Sequence, residues 1–322
     1  MNTLDITPDI EGKRLDKALS EKFPDYSRSY FLDLIKDEHV LVNDKIVKPS
    51  YILSQNDKVM INLVKKPALK EPVGQDIPLE IIFEDKNVIV INKQAGLVVH
   101  PASGNYDNTL VNALIEYFPA IKCAVYQKGN IVSETRPGIV HRLDKDTSGV
   151  IIVAKNKKAM HSLSKQIQNR TVIKKYLALC YGWPKQDSGT ITSHLGRHPK
   201  NRKYIAEIGP EKGREAISDY KVVRYFQYDS VKISLLEFII HTGRTHQIRV
   251  QSKEMGIPVL GDPFYGSKDS MKLSYLLKIN RQLLHARELT LTLPSEKVSK
   301  TFSAPLPSDF QSVLELLTEV QT

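Results

Sequence analysis

Two polar segments of the chain carry side chains that could perform acid–base or nucleophilic chemistry. The first, 138–149, reads Gly-Ile-Val-His-Arg-Leu-Asp-Lys-Asp-Thr-Ser-Gly and leads into an apolar strand at 150–154. We expect a strand that enters a polar turn, with Asp144 at the mouth of a sheet and Gly149 allowing the chain to reverse. The second, 236–251 with 242–250 at its centre, places arginine, histidine and glutamine beside an apolar strand, so some of these polar groups should be buried and paired.

These residues by themselves leave several functions open. Asp144 could equally well form an ion pair in a loop, and Tyr176, which opens a predicted strand, is more often a core residue than a catalytic one. Asp144 and Asp146 could form the carboxylate pair of a glycoside hydrolase, although the sequence shows no aromatic-rich sugar cleft. A third candidate is a metal nuclease with three ligands, His241, His246 and Asp262. Flanking arginines, which repel cations, disfavour it. A non-catalytic RNA-binding or ribosome-assembly factor would need only the basic charge.

The charge of the chain indicates a polyanionic partner. Lysine and arginine number 46 against 36 acidic residues, which gives a net charge of +10 and a pI near 9.3, as nucleic-acid-binding proteins often have. Basic and acidic side chains are equal in number over 1–75, so the surplus lies in the rest of the chain. A membrane partner is disfavoured because no apolar stretch is long enough to span a bilayer. The segment 1–9 carries two acids and no base, so we expect it to be neither a secretory signal nor a transit peptide. Cys123 and Cys180, far apart in sequence, predict two buried thiols in a reducing cytoplasm.

Two basic segments are candidates for contact with phosphates. Residues 154–175 contain seven basic side chains and no acid, and residues 197–203 form a second basic loop. A solvated cationic surface is the alternative, but so long a run without an acid favours phosphate binding. The predicted RNA contacts in this part of the chain are Lys174, Arg197, Lys200, Arg202 and Arg244.

The elements that must position these residues fall into two predicted domains. Apolar residues at helical spacing before residue 36 predict two short helices, and a hairpin follows around Asn43-Asp44. Residues 65–78 have the proline-rich composition of a linker. We therefore place a small α+β domain with its linker at 1–75 and a larger domain at 76–322.

The larger domain is predicted to be an α+β fold built on a mixed, largely antiparallel sheet with flanking helices. Its β-branched runs often follow one another across short turns, as at 80–93 and 217–240, and helical patterns are interspersed at 110–117 and 160–167. Asn108 or Thr109 is suited to cap the first of these helices. A glycine-rich phosphate loop is missing, so a nucleotide cofactor is not indicated.

The N-terminal domain resembles the αL-type RNA-binding domain first described in a small-subunit ribosomal protein. The residues that carry the resemblance are Arg14-Leu15-Asp16-Lys17, Ser27-Arg28-Ser29, Leu34-Ile35-Lys36 and Val40-Leu41-Val42-Asn43. In that family the second helix and the following loop press on RNA phosphates. The resemblance therefore implies RNA contacts by Arg28, Lys36, Lys45 and Lys48.

Residues 80–310 resemble the RluA family of pseudouridine synthases, and most closely its RluD branch. Besides the two polar segments, the match is carried by Ile91-Asn92-Lys93, Gly96-Leu97-Val98-Val99-His100-Pro101, Gly261-Asp262-Pro263, Tyr265-Gly266 and Leu284-His285-Ala286. Gln94 and Gln251 depart from the family's usual proline and histidine. The resemblance implies an enzyme with the pseudouridine synthase fold.

The resemblance also implies roles for four residues. Asp144 matches the catalytic aspartate and Arg249 the arginine that pairs with it. Tyr176 matches the tyrosine that packs on the target base, and Arg142 a residue that contacts RNA beside the everted nucleotide. Pseudouridine formation involves no redox step or group transfer, so neither a cofactor nor a metal is expected. The implied substrate is large-subunit ribosomal RNA, with transfer RNA as the alternative, and we expect a cytoplasmic monomer.

Overall fold

The computed structural model describes residues 2–5, 10–24, 26, 28–64, 72–101, 105–125, 127–128, 131–132, 136–199, 201 and 204–321. The chain forms two compact units, Met1–Glu71 with Tyr126–Thr135, and Pro72–Val125 with Arg136–Thr322. The domain boundary near residue 75 stays a prediction. The first half of the predicted linker, 65–71, lies outside the described residues.

The first unit packs two short helices against a small antiparallel sheet. Its elements are β1 (Asn2–Asp5), α1 (Leu15–Lys22), α2 (Arg28–Lys36), β2 (Val40–Val42), β3 (Lys45–Ile46) and β4 (Lys58–Ile61), with strand order β1-β4-β2-β3. The predicted apolar stripes are buried, with Leu15, Leu19, Phe31 and Ile35 each at most 1% exposed. Asn43 and Asp44 have positive φ angles of 53° and 59°, which confirms the tight hairpin between β2 and β3.

The second unit is built on one large sheet. Its strands are β5 (Glu80–Glu84), β6 (Val88–Lys93), β9 (Ser148–Ala154), β10 (Ile173–Tyr181), β11 (Ser188–Arg197), β12 (Ile205–Glu207), β13 (Arg214–Tyr228), β14 (Val231–Ile240), β15 (Leu284–Thr292), β16 (Ser299–Ser303) and β17 (Thr318–Val320). The hairpin that pairs β7 (Gln127–Lys128) with β8 (Ile131–Val132) belongs to the first unit. The central order is β12-β11-β13-β14-β10-β15-β9-β6-β5. Among the described strands, β9 and β15 form the parallel pair and the other pairings are antiparallel. The predicted mixed, largely antiparallel sheet is confirmed.

Helices lie between these strands and cover the sheet. They are α3 (Leu110–Tyr117), α4 (Lys157–Gln168), α5 (Gln247–Glu254), α6 (Lys268–Leu276) and α7 (Ser308–Glu315), with a 3-10 helix at Pro119–Cys123. Thr109 caps α3 through its side chain, as predicted. Cys180 is buried but Cys123 is exposed, so the prediction of two buried thiols is wrong for Cys123. Within the described ranges, no helix has the length and apolar character needed to cross a bilayer.

The segment before β9 differs from its prediction in two ways. Residues 138–147 form turns and irregular backbone instead of a strand, with a single bridge from Ile139 to Val153. Gly149 lies inside β9 with φ +112°, and a side chain there would collide with the backbone of Ala286 in β15. The glycine is therefore required for the close approach of two strands and not for a chain reversal.

Burial of His285 predicts a loss of stability in mild acid. Its Nδ1 lies 2.9 Å from Ser148 Oγ and its Nε2 3.2 Å from the carbonyl of Ala304, and desolvation lowers its pKa from 6.5 to about 4. Below pH 6.5 the imidazole of His285 is protonated in the unfolded chain, whereas in the folded chain it stays neutral until about pH 4. The contribution is therefore complete above pH 6.5 and falls by about 3 kcal/mol as the pH drops to 4. Urea unfolding at both pH values tests this, and His285→Gln should show a smaller difference between them. An equal difference in wild type and variant would contradict it.

Candidate active site

Asp144 lies in the turn before β9, at the edge of a cavity of about 420 Å³. Its side chain is 17% exposed and the backbone N–H of Thr147 donates to its carbonyl at 3.2 Å, which closes the turn. The cavity is also lined by Arg142, Lys174, Tyr176, Arg244, His246 and Arg249. Residues from two polar segments about 100 positions apart thus share one pocket with a strand tyrosine.

A buried guanidinium joins Asp144 to a second carboxylate. Arg249, 3% exposed, donates from Nη1 to Asp144 Oδ2 at 3.0 Å and from Nε and Nη2 to Asp262 at 2.6 and 2.8 Å. Burial by itself would lower the pKa of Arg249, but Asp262 and Asp144 raise it above its usual value. The arginine is therefore a permanent cation that directs the Asp144 carboxylate. The sequence identified Asp262 only within a motif and as a possible metal ligand, and missed its bond to Arg249.

The carboxylate of Asp262 is fixed by hydrogen bonds from the backbone of the turn in which it lies. Asp262 Oδ1 accepts the N–H groups of Phe264 at 2.9 Å and Tyr265 at 3.1 Å, and Asp262 is fully buried. Gly261, with φ +75°, has no room for a side chain against the backbone of Arg281. These contacts hold the Asp262 carboxylate in place, and that carboxylate in turn orients the guanidinium of Arg249.

Tyr176 lies in β10 between β14 and β15, where it faces Phe238 and Ala286 in the strand register. It is 7% exposed and lines the cavity. Burial, and secondarily the charge of Asp144, raises the pKa of its phenol. The hydroxyl is therefore protonated at neutral pH, and the ring offers an apolar surface to whatever enters the cavity.

A buried amide network places α5 and with it Arg249. Gln247 Nε2 donates to the carbonyl of Ile217 at 3.0 Å, and its Oε1 accepts the Thr242 hydroxyl at 2.8 Å. Gln251, fully buried, accepts the Ser218 hydroxyl at 2.7 Å. The predicted burial and pairing of polar groups in this segment is confirmed, and Gln251 is a structural residue that ties α5 to β13.

Lys93 holds the backbone of the Asp144 turn through hydrogen bonds to carbonyl groups. It is fully buried and its Nζ donates to the carbonyls of Gln94, Leu97 and Lys145 at 2.8, 3.0 and 3.0 Å. Three carbonyl acceptors match the three hydrogens of an ammonium, whereas desolvation lowers its pKa to about 7. Because Lys145 follows Asp144 directly, this anchor restricts where the carboxylate can lie. The sequence placed Lys93 in a motif without a role.

The arrangement does not favour the metal nuclease. His241 pairs with Asp219 at 2.6 Å, and Asp262 is occupied by Arg249. No group of three or more histidine, cysteine or acidic side chains suited to a metal occurs among the described residues.

Comparison with known proteins decides the family. The profile of RNA pseudouridylate synthases matches residues 87–254, just over half of the chain, and that of the S4 domain matches residues 13–59. The chain belongs to the RNA pseudouridylate synthase family. It is a pseudouridine synthase with an N-terminal S4 domain, as the two resemblances predicted, and the hydrolase and the non-catalytic factor are set aside.

Several relatives match the synthase over nearly its whole length. An uncharacterized RNA pseudouridine synthase of Chlorobaculum parvum is 41% identical, covering 99% of this chain and 98% of the relative. The ribosomal large subunit pseudouridine synthase D of Escherichia coli K12 is 38% identical, covering 98% and 94%. The solved structure of human RNA pseudouridylate synthase domain containing 1 has a TM-score of 0.59 at 26% identity, covering 77% of this chain and 93% of that one.

The basic residues predicted to contact RNA occupy different places in the synthase. Arg142 is exposed, and the less exposed Lys174 and Arg244 line the cavity with it; burial lowers the pKa of Lys174 and of Arg244. Arg197 is exposed at the end of β11. Lys200 and Arg202 lie outside the described residues. Arg142, Lys174 and Arg244 line the same cavity as Asp144, and all these RNA contacts stay predictions.

The acid-free run 154–175 is less cationic in space than in sequence. Lys155 pairs with Glu84 at 2.6 Å, Arg170 with Glu215 at 3.4 Å and Lys175 with Glu288 at 3.1 Å. Acids brought in from other strands therefore neutralise part of the run. The charge that is free to bind phosphate is smaller than the composition of this run predicts.

In the S4 unit, one predicted RNA contact has a structural partner. Arg28 donates to the fully buried Asp16 at 2.6 and 2.9 Å, and Arg14 donates to the same carboxylate. Its side chain is half exposed, so its outer face is open to solvent. Lys36, Lys45 and Lys48 are exposed.

Proposed function

We propose that this synthase converts a uridine of large-subunit ribosomal RNA to pseudouridine, with Asp144 as the catalytic carboxylate. The observation that carries the proposal is the fixed geometry of Asp144, bound to a buried guanidinium at 3.0 Å beside a cavity lined by Tyr176. Arg249 directs the carboxylate through a charge-assisted hydrogen bond from Nη1 to Oδ2.

The reaction is a rearrangement within one nucleotide. The bond between C1′ and N1 breaks, the uracil turns, and a bond forms between C1′ and C5. The proton of C5 leaves and N1 gains one, so atoms and charge balance without an oxidant or a cofactor. The carboxylate of Asp144 either attacks C1′ or accepts a proton from the sugar as the uracil departs, and both routes need its anionic form.

Tyr176 has the role of retaining the detached base. Its ring is buried at the cavity wall, and stacking of a base on an aromatic ring contributes roughly 1–3 kcal/mol. That contribution keeps the uracil in the cavity while it turns.

A uridine within a helix cannot reach a recessed carboxylate, so the target must be everted, at a cost of a few kcal/mol. Phosphate contacts by Arg142, Lys174 and Arg244 around the cavity offset that cost, and the S4 unit adds contacts elsewhere on the RNA. We assign these contacts to RNA because each carries positive charge at the rim or wall of the pocket.

Ribosomal RNA is the preferred substrate because a relative covered over nearly its full length is named a ribosomal large subunit pseudouridine synthase. Transfer RNA is the alternative. A cytoplasmic monomer is the form in which we propose that the enzyme acts.

Mapping pseudouridines in total RNA by carbodiimide-stop sequencing tests the substrate. We expect a strain that lacks the gene to lose one or more sites in large-subunit ribosomal RNA. Expression of the wild-type chain should restore them, and the Asp144→Asn chain should not. Loss of sites only in transfer RNA would select the alternative substrate, and an unchanged map would contradict the proposal.

A further inference from the structure

His246 lines the same cavity as Asp144 and has an unusual backbone conformation. It precedes α5 with φ 54° and ψ 24°, in the left-handed region that residues with a side chain rarely adopt. Strain of this kind persists only where surrounding contacts hold the residue in place. Those contacts therefore indicate what the imidazole does.

Tyr265 determines which nitrogen of the ring carries the hydrogen. His246 Nδ1 lies 2.8 Å from the Tyr265 hydroxyl, and that hydroxyl accepts the N–H of Ile205 at 2.9 Å. Tyr265 is 5% exposed, and burial raises its pKa, so its own hydrogen is retained and needs an acceptor. Nδ1 is that acceptor, so the hydrogen of a neutral His246 lies on Nε2.

Burial and a neighbouring aromatic ring define the surroundings of the imidazole. Burial lowers the pKa of His246, an effect that the charge of Asp144 opposes and that of Arg249 reinforces. The ring of Phe264 lies nearly parallel to the imidazole, with centroids 6.1 Å apart. The hydrogen bond to Tyr265 thus orients the imidazole, and the ring of Phe264 lies beside it.

The Nε2 atom faces one particular oxygen of the catalytic carboxylate. It lies 3.8 Å from Asp144 Oδ2, the oxygen that also accepts from Arg249 Nη1 at 3.0 Å. Within the described part of the chain, no donor is bonded to Asp144 Oδ1. The separation between Nε2 and Oδ2 is longer than a hydrogen bond, but such contacts often tighten when substrate binds.

We propose that His246 is a positioning residue, which together with Arg249 holds Asp144 through Oδ2 and so leaves Oδ1 directed at the sugar of the substrate. The inference rests on the proposed function of Asp144 and adds which oxygen reacts and what directs it. Tyr265 contributes to this positioning because its hydrogen bond to Nδ1 places the hydrogen of His246 on Nε2.

Two amide substitutions separate the roles of the ring nitrogens. In His246→Asn the side-chain amide reaches only the position of Nδ1, and in His246→Gln it extends to that of Nε2. Asparagine also tolerates the left-handed conformation better than most residues, so His246→Asn should fold at least as stably as the wild type. Urea unfolding of that variant beside the wild type separates a loss of activity from unfolding.

Single-turnover and steady-state assays on an RNA that the wild type modifies provide the readout. We expect His246→Asn to lower kcat by about 10- to 100-fold, the loss that follows displacement of a reacting group by up to an ångström, with KM within about twofold. His246→Gln should recover kcat to within about threefold of the wild type, because its amide can donate to Oδ2.

The outcomes separate this inference from the function on which it depends. Wild-type kcat in His246→Asn, or equal losses in both variants, would overturn the positioning role while leaving Asp144 as the catalytic residue. A rise in KM without a fall in kcat would show that His246 binds RNA instead, and would also overturn it. Activity retained in Asp144→Asn would contradict the proposed function itself.

Discussion

Asp144→Ala is expected to abolish isomerisation while RNA binding survives. We expect kcat to fall by at least about 10⁴-fold, as when the reacting group of an enzyme is removed. The fold should persist because Arg249 keeps its two bonds to Asp262 and is not left as an unpaired buried charge. Because the substitution removes a negative charge from the cavity in which the RNA nucleotide binds, the affinity for RNA should be equal or higher. Tritium release from RNA labelled at C5 of uridine measures the reaction, and a gel-shift titration measures binding.

Asp146→Ala is the matched control for Asp144→Ala. It removes the same charge from the same turn, and the backbone carbonyl of Asp146, which accepts from Arg281 at 3.0 Å, is unaffected by the change. We expect activity near that of the wild type. Full activity in Asp144→Ala, or equal losses in the two variants, would contradict the assignment of the catalytic carboxylate.

Arg249→Met is expected to reduce turnover more than affinity and also to destabilise the protein. The substitution removes the group that directs Asp144, and it leaves the fully buried Asp262 without its cation. An unpaired buried charge costs about 3–5 kcal/mol of unfolding free energy. Urea unfolding measures that loss, and single-turnover assays under saturating enzyme measure the chemical step apart from binding.

A second substitution separates folding from catalysis at this position. In Arg249→Met combined with Asp262→Asn the buried charge is removed, and the amide oxygen can still accept the N–H groups of Phe264 and Tyr265. We expect the double variant to regain much of the lost stability but not the lost kcat. A loss confined to affinity in both variants would show that Arg249 contacts phosphate and does not direct Asp144.

Elements with a strong local pattern were predictable from the sequence. The periodic apolar residues of α1 and α2, the Asn43-Asp44 turn, the cap at Thr109 and the β-branched strands all follow from interactions within a few residues. The segment 138–147 was predicted as a strand that enters a polar turn; the turn is present, but the strand is replaced by turns and irregular backbone. It pairs through one bridge only, because the backbone is held by Lys93 and by the turn at Thr147 instead of by a neighbouring strand.

Charge was the property least predictable from local sequence. A run without acids at 154–175 indicated a free cationic surface, but Glu84, Glu215 and Glu288 reach it from other strands. Composition counts charges along the chain, whereas a salt bridge depends on distance in space.

The sequence by itself determined the family and most of the secondary structure, because motifs and periodic patterns depend on residue types at short spacing. The family resemblance in turn named Asp144, Tyr176 and Arg249 as candidate site residues. Tertiary structure alone decided that Arg249 bonds both Asp144 and Asp262, and that His246 faces the same oxygen as the guanidinium. Such contacts join residues as far as 105 positions apart. Their geometry depends on how strands and α5 pack, and packing sums many weak interactions that no local pattern records.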